Sequence, residues 1–212
     1  MVFRSVYEDQ QDILSAIEAL HCPEGFQCDV TYGNGSFYKG RKQPEYCFDL
    51  QPLAEHVVVA DSRTLPLEPN TLTNLVFDPP FLCYVSNGRE NAASSGKKAV
   101  MSSRFGGYWR YDELESHYKD TFKEAARVLR PKGVLVVKCQ DIIHNHKMHS
   151  THINSVSWAE QEGFRIKDIF ILPAKSRMPL KAAPHGVQKQ QQHARIFHSY
   201  FLVFEKNHVR CK

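Results

Sequence analysis

Apolar residues recur at a helical period in two stretches of this 212-residue chain. Ile13, Leu14, Ile17 and Leu20 share one side of segment 9–20. Leu114, Tyr118, Phe122, Ala125, Ala126 and Leu129 share one side of 112–129. Positions three and four apart lie on the same face of a helix, so both stretches predict helices with one buried stripe. Pro131 and Gly133 end the second. A third helix is predicted over 151–162, stopped by Gly163. Short apolar runs at 26–30, 46–50, 56–60, 75–77, 133–139, 164–172 and 197–204 read as strands. The run at 56–60 predicts a third buried strand. Strands alternating with helices, then a final pair of strands, predict an α/β sheet with a late antiparallel hairpin. The length fits one domain spanning 1–212.

The ends of the first four runs carry the chemistry. The first leads into Thr31-Tyr32-Gly33-Asn34-Gly35. Glycine tolerates positive φ and lets backbone approach a ligand, though the same pair also suits a plain turn. The second ends on Asp49-Leu50, where an acid can accept hydrogen bonds from ribose hydroxyls or cap a turn. The third ends on Asp61-Ser62, where the acid can hold the amine of a cofactor adenine or act as a cap. The fourth ends on Asp78-Pro79-Pro80-Phe81. Two prolines fix φ and lack N–H donors, which leaves a stiff, carbonyl-rich backbone. The Asp78 carboxylate and the Pro79 carbonyl can accept both hydrogens of an –NH2 group, and Phe81 can stack on the ring that bears it. An aromatic amine is a poor nucleophile because its lone pair is shared with the ring. Holding both hydrogens and aligning the nitrogen with an electrophilic methyl helps by orientation and electrostatics. In an open parallel sheet ligands bind at the carboxyl ends of the strands, where these four ends would meet.

In this arrangement the chain resembles the S-adenosyl-methionine-dependent amino-methyltransferases that act on adenine N6 or cytosine N4 of DNA. Residues 29–37 resemble the family's cofactor loop, which assigns Asp29, Thr31, Tyr32, Gly33, Gly35 and Phe37 to the cofactor. Asp49, with Leu50, matches the ribose-binding acid; Asp61, with Ser62, matches the acid near the cofactor's adenine. Residues 78–81 match the catalytic tetrapeptide, with Phe81 in place of the commoner Tyr. Residues 130–138 resemble the turn and fifth strand, and 198–204 the last strand; the likeness covers about 3–206. It implies a Rossmann-like methyltransferase fold with a mostly parallel seven-stranded sheet. It also implies S-adenosyl-L-methionine as cofactor, DNA as partner, and a flipped base received by Phe81. Aspartate at the head of the tetrapeptide favours adenine N6 over cytosine N4. An RNA base-amine methyltransferase and a non-catalytic, cofactor-binding subunit of a larger complex remain alternatives. Two features depart from the family. The segment between Gly35 and Asp49, with Gly40 and Pro44, is short where a full helix is usual, and no separate block forms a target-recognition domain.

That second departure gives weight to two long polar segments, 82–111 and 174–195. The first holds Arg104, Tyr108, Trp109 and Arg110, cations interleaved with aromatics, which suit phosphate contact and base stacking. Residues 174–198 include Lys175, Arg177, Lys181, Lys189 and Arg195 and no acid. The net charge of +4 is mild, so this distribution says more than the sum. A homodimer or a separate recognition partner is compatible with so small a chain. Six cysteines, at 22, 28, 47, 83, 139 and 211, form no Cys-x-x-Cys pair and read as reduced and mostly buried. His144, His146, His149 and His152 fit no zinc spacing, so no metal is expected there, only a polar loop and helix cap. Lys138, at the end of the fifth strand, reads as a snorkelling side chain. No apolar run is long enough to span a membrane, and the first residues do not resemble a signal peptide, so a cytoplasmic or nucleoid location is expected.

Overall fold

The computed structural model describes residues 2–83, 106–108, 110–174 and 192–208. Seven strands form the main sheet: β1 (Cys28–Asp29), β2 (Tyr46–Asp49), β3 (Val58–Val59), β4 (Leu72–Phe77), β7 (Leu129–Cys139), β10 (Phe164–Pro173) and β11 (His198–Lys206). Four short strands form two separate pairs, β5 (Leu82–Cys83) with β6 (Gly106–Tyr108), and β8 (Ile142–His144) with β9 (Lys147–His149). The order across the main sheet is β10-β11-β7-β4-β1-β2-β3. The pairs among β3, β2, β1, β4 and β7 are parallel. β11 lies antiparallel between β7 and β10, as the expected terminal pair requires. From β1 the chain moves outward through β2 and β3, then returns to place β4 on the other side of β1. The strand order therefore reverses between β1 and β4, the place where open α/β sheets bind ligands.

Alternation along the central strands divides the core in two. Leu75, Phe77, Leu135, Val137, Leu202 and Phe204 point to one face. They meet Leu114, Tyr118 and Phe122 of α2 (Tyr111–Val128) and Trp158 and Ala159 of α3 (Thr151–Gln161). Val76, Val136, Phe201 and Val203 point to the other and meet Ile13, Leu14 and Ile17 of α1 (Gln10–His21). Asp9 caps α1 by accepting the Gln11 N–H at 2.8 Å. Leu20, expected on the buried stripe, is 44% exposed because it lies in the last turn, past the edge of the packed face.

Several elements differ from the sequence pattern, each for a local reason. β3 is not buried: Val58 is 52% and Val59 70% exposed, because this two-residue strand is the sheet's outer edge and pairs with β2 alone. β7 begins at Leu129, before the Pro131 and Gly133 stop. The extra residues are absorbed by a register shift opposite Leu72 and Asn74, with Lys132 at φ +66°. The expected polar loop after β7 is the β8–β9 hairpin. Its corner, Asn145-His146, has both φ angles positive (49° and 60°), the geometry of a tight two-residue turn. Between Gly35 and Asp49 a single 3-10 turn, Ser36–Tyr38, replaces a full helix. Segment 82–111 begins on β5, and β6 pairs with it near the segment's other end. Among the described residues no helix is long and apolar enough to cross a membrane. Five cysteines are free, and Cys22, Cys28, Cys47 and Cys139 are buried; Cys211 lies outside the described residues.

Candidate active site

A cleft of about 770 Å³ opens at the carboxyl ends of β1, β2, β4 and β7, a size suited to a small-molecule cofactor. Its floor is the loop after β1. Asp29 is 1% exposed and does not line the cleft; it ties the loop from beneath. Its carboxylate accepts the Thr31 N–H at 2.7 Å, the Thr31 hydroxyl at 3.2 Å and the Tyr38 hydroxyl at 2.7 Å. Burial pushes Asp29 up to about 7, against the hydrogen bonds that favour its charged form. Thr31 Oγ1 also accepts the Asp78 N–H at 2.7 Å. One threonine hydroxyl thus clamps the loop after β1 to the tetrapeptide after β4. Gly33 and Gly35 have φ of 59° and 73°. A Cβ at Gly35 would sit 2.5 Å from the Tyr32 hydroxyl, so a side chain there would displace the ring. Tyr32 donates to Gln43 Oε1 at 2.6 Å and stacks on Tyr38.

Asp49 closes the next side. Its Oδ2 accepts the Gly33 N–H at 2.8 Å and its Oδ1 the Gln51 N–H at 2.8 Å. A carboxylate has about four acceptor positions, so each oxygen keeps capacity for a ligand hydroxyl. Leu50 and Leu53 add exposed apolar surface to the cleft. Asp61 is committed elsewhere: both its oxygens hold the Arg63 guanidinium, at 2.9 and 2.6 Å, which keeps its carboxyl down at about 2. Ser62, not Asp61, lines the cleft. The Ser62 hydroxyl bonds His117 Nε2 at 2.7 Å and Thr121 Oγ1 at 3.0 Å. Burial holds His117 down at about 4, so it is neutral near pH 7.

Asp78, Pro79 and Pro80 line the inner end, and Phe81 lies beyond the lining. Burial raises the Asp78 carboxyl, and the Lys138 ammonium 3.3 Å away opposes that rise. Lys138 therefore does not snorkel outward: it turns into the cleft and also donates to Gln10 Oε1 at 3.0 Å.

The structure brings Thr31, Tyr32, Gly33, Phe37, Asp49, Leu50, Ser62, Asp78, Pro79 and Pro80 around one cavity. It leaves Asp29, Gly35, Asp61 and Phe81 off its wall. Gln10, His117 and Lys138 are lining residues that sequence reasoning missed, since they come from α1, α2 and β7, outside the strand-end motifs. Of the residues expected near nucleic acid, Arg104 and Trp109 lie outside the described residues, and Tyr108 ends β6. Arg110 is exposed and paired with Asp112 at the start of α2. The clustered histidines have structural partners. His149 stacks on Tyr111 at 3.7 Å, and His152 bonds Asp141 at 2.7 Å and stacks on Tyr200.

No protein-family model and no curated protein matches the sequence. Solved structures do match the fold. The cyclase SpnF superposes with a TM-score of 0.55 at 14% identity, covering 92% of this chain and 80% of that one. A protein from Galdieria sulphuraria, named for sarcosine and dimethylglycine methylation, gives 0.52 at 15% identity over 92% and 84%. The chain has the methyltransferase fold. A protein from Thermus thermophilus, named as a DNA modification methylase, gives 0.46 at 17% identity over 73% of this chain. The chain spans 55% of that protein. That protein has also been solved with S-adenosyl-L-methionine bound. A cyclase on the same fold shows that chemistry has to be argued from the site.

Proposed function

We propose that this protein transfers a methyl group from S-adenosyl-L-methionine to the exocyclic amine of a base in DNA, adenine N6 after base flipping. The observation that carries the reading is the clamp between the two half-sites. Thr31 Oγ1 holds the Asp78 N–H at 2.7 Å, so the glycine loop and the Asp-Pro-Pro turn face one cavity in a fixed relation. The lining fits the cofactor. Asp49 has acceptor capacity for ribose hydroxyls, Gly33 brings backbone close, Ser62 and neutral His117 suit a heteroaromatic ring, and Leu50 and Leu53 supply apolar contact. When bound, the cofactor supplies an electrophilic methyl group.

The chain's own part is orientation. The Asp78 carboxylate and the Pro79 carbonyl accept the two amine hydrogens and aim the nitrogen lone pair. The nitrogen gains the methyl, the electron pair of the broken carbon–sulfur bond stays on sulfur, and one amine proton leaves past Asp78. A paired, stacked amine cannot reach this turn inside a duplex, so the base has to leave the helix. Phe81, directly after the turn, is the stacking partner in this reading. Segments 82–111 and 174–195 supply the contacts to nucleic acid, and the protein acts in the cytoplasm, on the nucleoid.

The test is methyl transfer from labelled cofactor to unmethylated genomic DNA, digested to nucleosides and read by mass spectrometry. N6-methyldeoxyadenosine is the expected product. N4-methyldeoxycytidine would move the target to cytosine. Transfer to structured RNA alone would overturn DNA as substrate, and cofactor binding without any transfer would favour a subunit of a larger complex.

A further inference from the structure

β4 and β7 run parallel with Phe77 opposite Val137. The next residues on the two strands, Asp78 and Lys138, are therefore delivered side by side at the mouth of the cleft. The Lys138 side chain is 15% and the Asp78 side chain 21% exposed, and Nζ lies 3.3 Å from Oδ2. A second contact, 3.0 Å to Gln10 Oε1, holds the ammonium from α1. Its position lies against the rings of Phe37 and Phe201, 5.6 and 5.5 Å from their centroids, a setting that favours a cation. Two acceptors and two aromatic faces fix this amine in one place, which a side chain reaching for solvent would not need.

The surroundings explain what the amine is for. Asp29 and Tyr38 act on Asp78 from the loop after β1, Cys139 from β7, and His117 lines the same cleft from α2. Asp29 is of the same sign, Tyr38 and Cys139 are neutral at working pH, and His117 is held neutral. Among the described residues Lys138 is the cation that pairs with Asp78. A carboxylate that accepts amine hydrogens has to stay ionised in a partly desolvated site. It also has to present the other oxygen to the target.

We propose that Lys138 is a positioning residue that keeps the Asp78 carboxylate charged and turned toward the target amine. This rests on the methyl-transfer reading, and it makes Lys138 part of the reaction's machinery through Asp78. Oδ2 is held by the ammonium, so Oδ1 is the oxygen left to accept from the substrate.

The test compares wild type with Lys138→Met, which keeps the stem and drops the charge, and with Lys138→Arg and Lys138→Gln. Carbon-13 carboxyl NMR, with the Asp78 resonance assigned from Asp78→Asn, follows the titration directly and needs no activity. In Lys138→Met and Lys138→Gln the Asp78 midpoint is expected to rise by about one pH unit or more, and Lys138→Arg to restore it. The acidic limb of kcat moves up by the same amount, so the Met variant loses about tenfold more at pH 6 than at pH 9, while cofactor Kd changes less than about threefold. Calorimetric binding of the cofactor confirms that each variant is folded. An Asp78 midpoint unmoved in both neutral variants overturns the proposal, even with wild-type methyl transfer intact. A wild-type protein that methylates no nucleic acid overturns the functional reading instead, and the NMR titration still decides whether Lys138 governs Asp78.

Discussion

Two aspartates on the cleft wall have separable duties. Asp78→Asn keeps an acceptor oxygen but loses the charge and presents an amide donor to an amine. Turnover is expected to fall by roughly 10²–10⁴, the range for removing one electrostatic or proton-accepting group, with cofactor Kd nearly unchanged in calorimetry. Retention of more than a tenth of wild-type kcat would remove Asp78 from the chemistry. Asp49→Ala should do the reverse. It deletes the acceptor that fastens the Gly33 and Gln51 N–H groups, and cofactor affinity should weaken by about 2 kcal/mol, roughly thirtyfold. Both positions were legible because an acid directly after an apolar run is a local pattern. Asp61 follows the same pattern, yet Arg63 two residues on occupies both its oxygens, and the cleft receives Ser62 instead. The clamp from Thr31 to Asp78 spans 47 positions and left no mark in either segment. Lys138 and His117 were opaque for the same reason, since their roles arise from strand register and helix placement.

At the scale of elements, the apolar periods located the three helices and the strands of the sheet, because buried stripes and buried runs follow from packing. They failed where pairing geometry decides. An edge strand needs no apolar cover, so the valines of β3 were read as buried when they are exposed. The β8–β9 hairpin is made by a polar corner, which hydrophobicity does not register. The entry to β7 allows a direct test. Lys132 adopts φ +66°, a conformation that costs a side-chain residue about 1 kcal/mol relative to glycine. Lys132→Gly is expected to raise stability by about 0.5–1 kcal/mol in urea unfolding. Gly133→Ala should lower it, because a Cβ there would lie 2.8 Å from the Arg130 carbonyl oxygen. The α2 residue His117 gives a pH test. Its folded value, about 4, lies below the ordinary 6.5. The stability it contributes is complete above about 6.5 and is lost as pH falls through about 4. Between pH 7 and 4.5 wild type should lose about 2 kcal/mol more than His117→Gln, after allowance for partial exposure. Parallel curves for the two proteins would mean that His117 titrates normally.

For the molecule as a whole, the question is how a mildly basic chain holds a highly charged polymer. A net charge of +4 spread evenly would give weak, diffuse attraction. The cations are not even: residues 174–198 carry Lys175, Arg177, Lys181, Lys189 and Arg195 with no acid to offset them. This segment runs from the end of β10 to the start of β11, the antiparallel pair at one side of the sheet. Phosphate contacts release condensed counterions, so each one adds about 0.9 to the slope of log affinity against log salt. Replacing the five cations with glutamine should therefore weaken duplex binding and flatten that slope by up to about 4.5, with cofactor affinity and the folded core untouched. The measurement is fluorescence anisotropy on a labelled duplex between about 50 and 200 mM salt. A lowered affinity with an unchanged slope would place these side chains away from the phosphates. The nucleic-acid contacts would then fall to segment 82–111, where β5 pairs with β6 directly beside the Asp-Pro-Pro turn. A flattened slope together with retained kcat at saturating DNA would separate holding the polymer from reacting with one of its bases, the division of labour expected when a pocket this small does the chemistry.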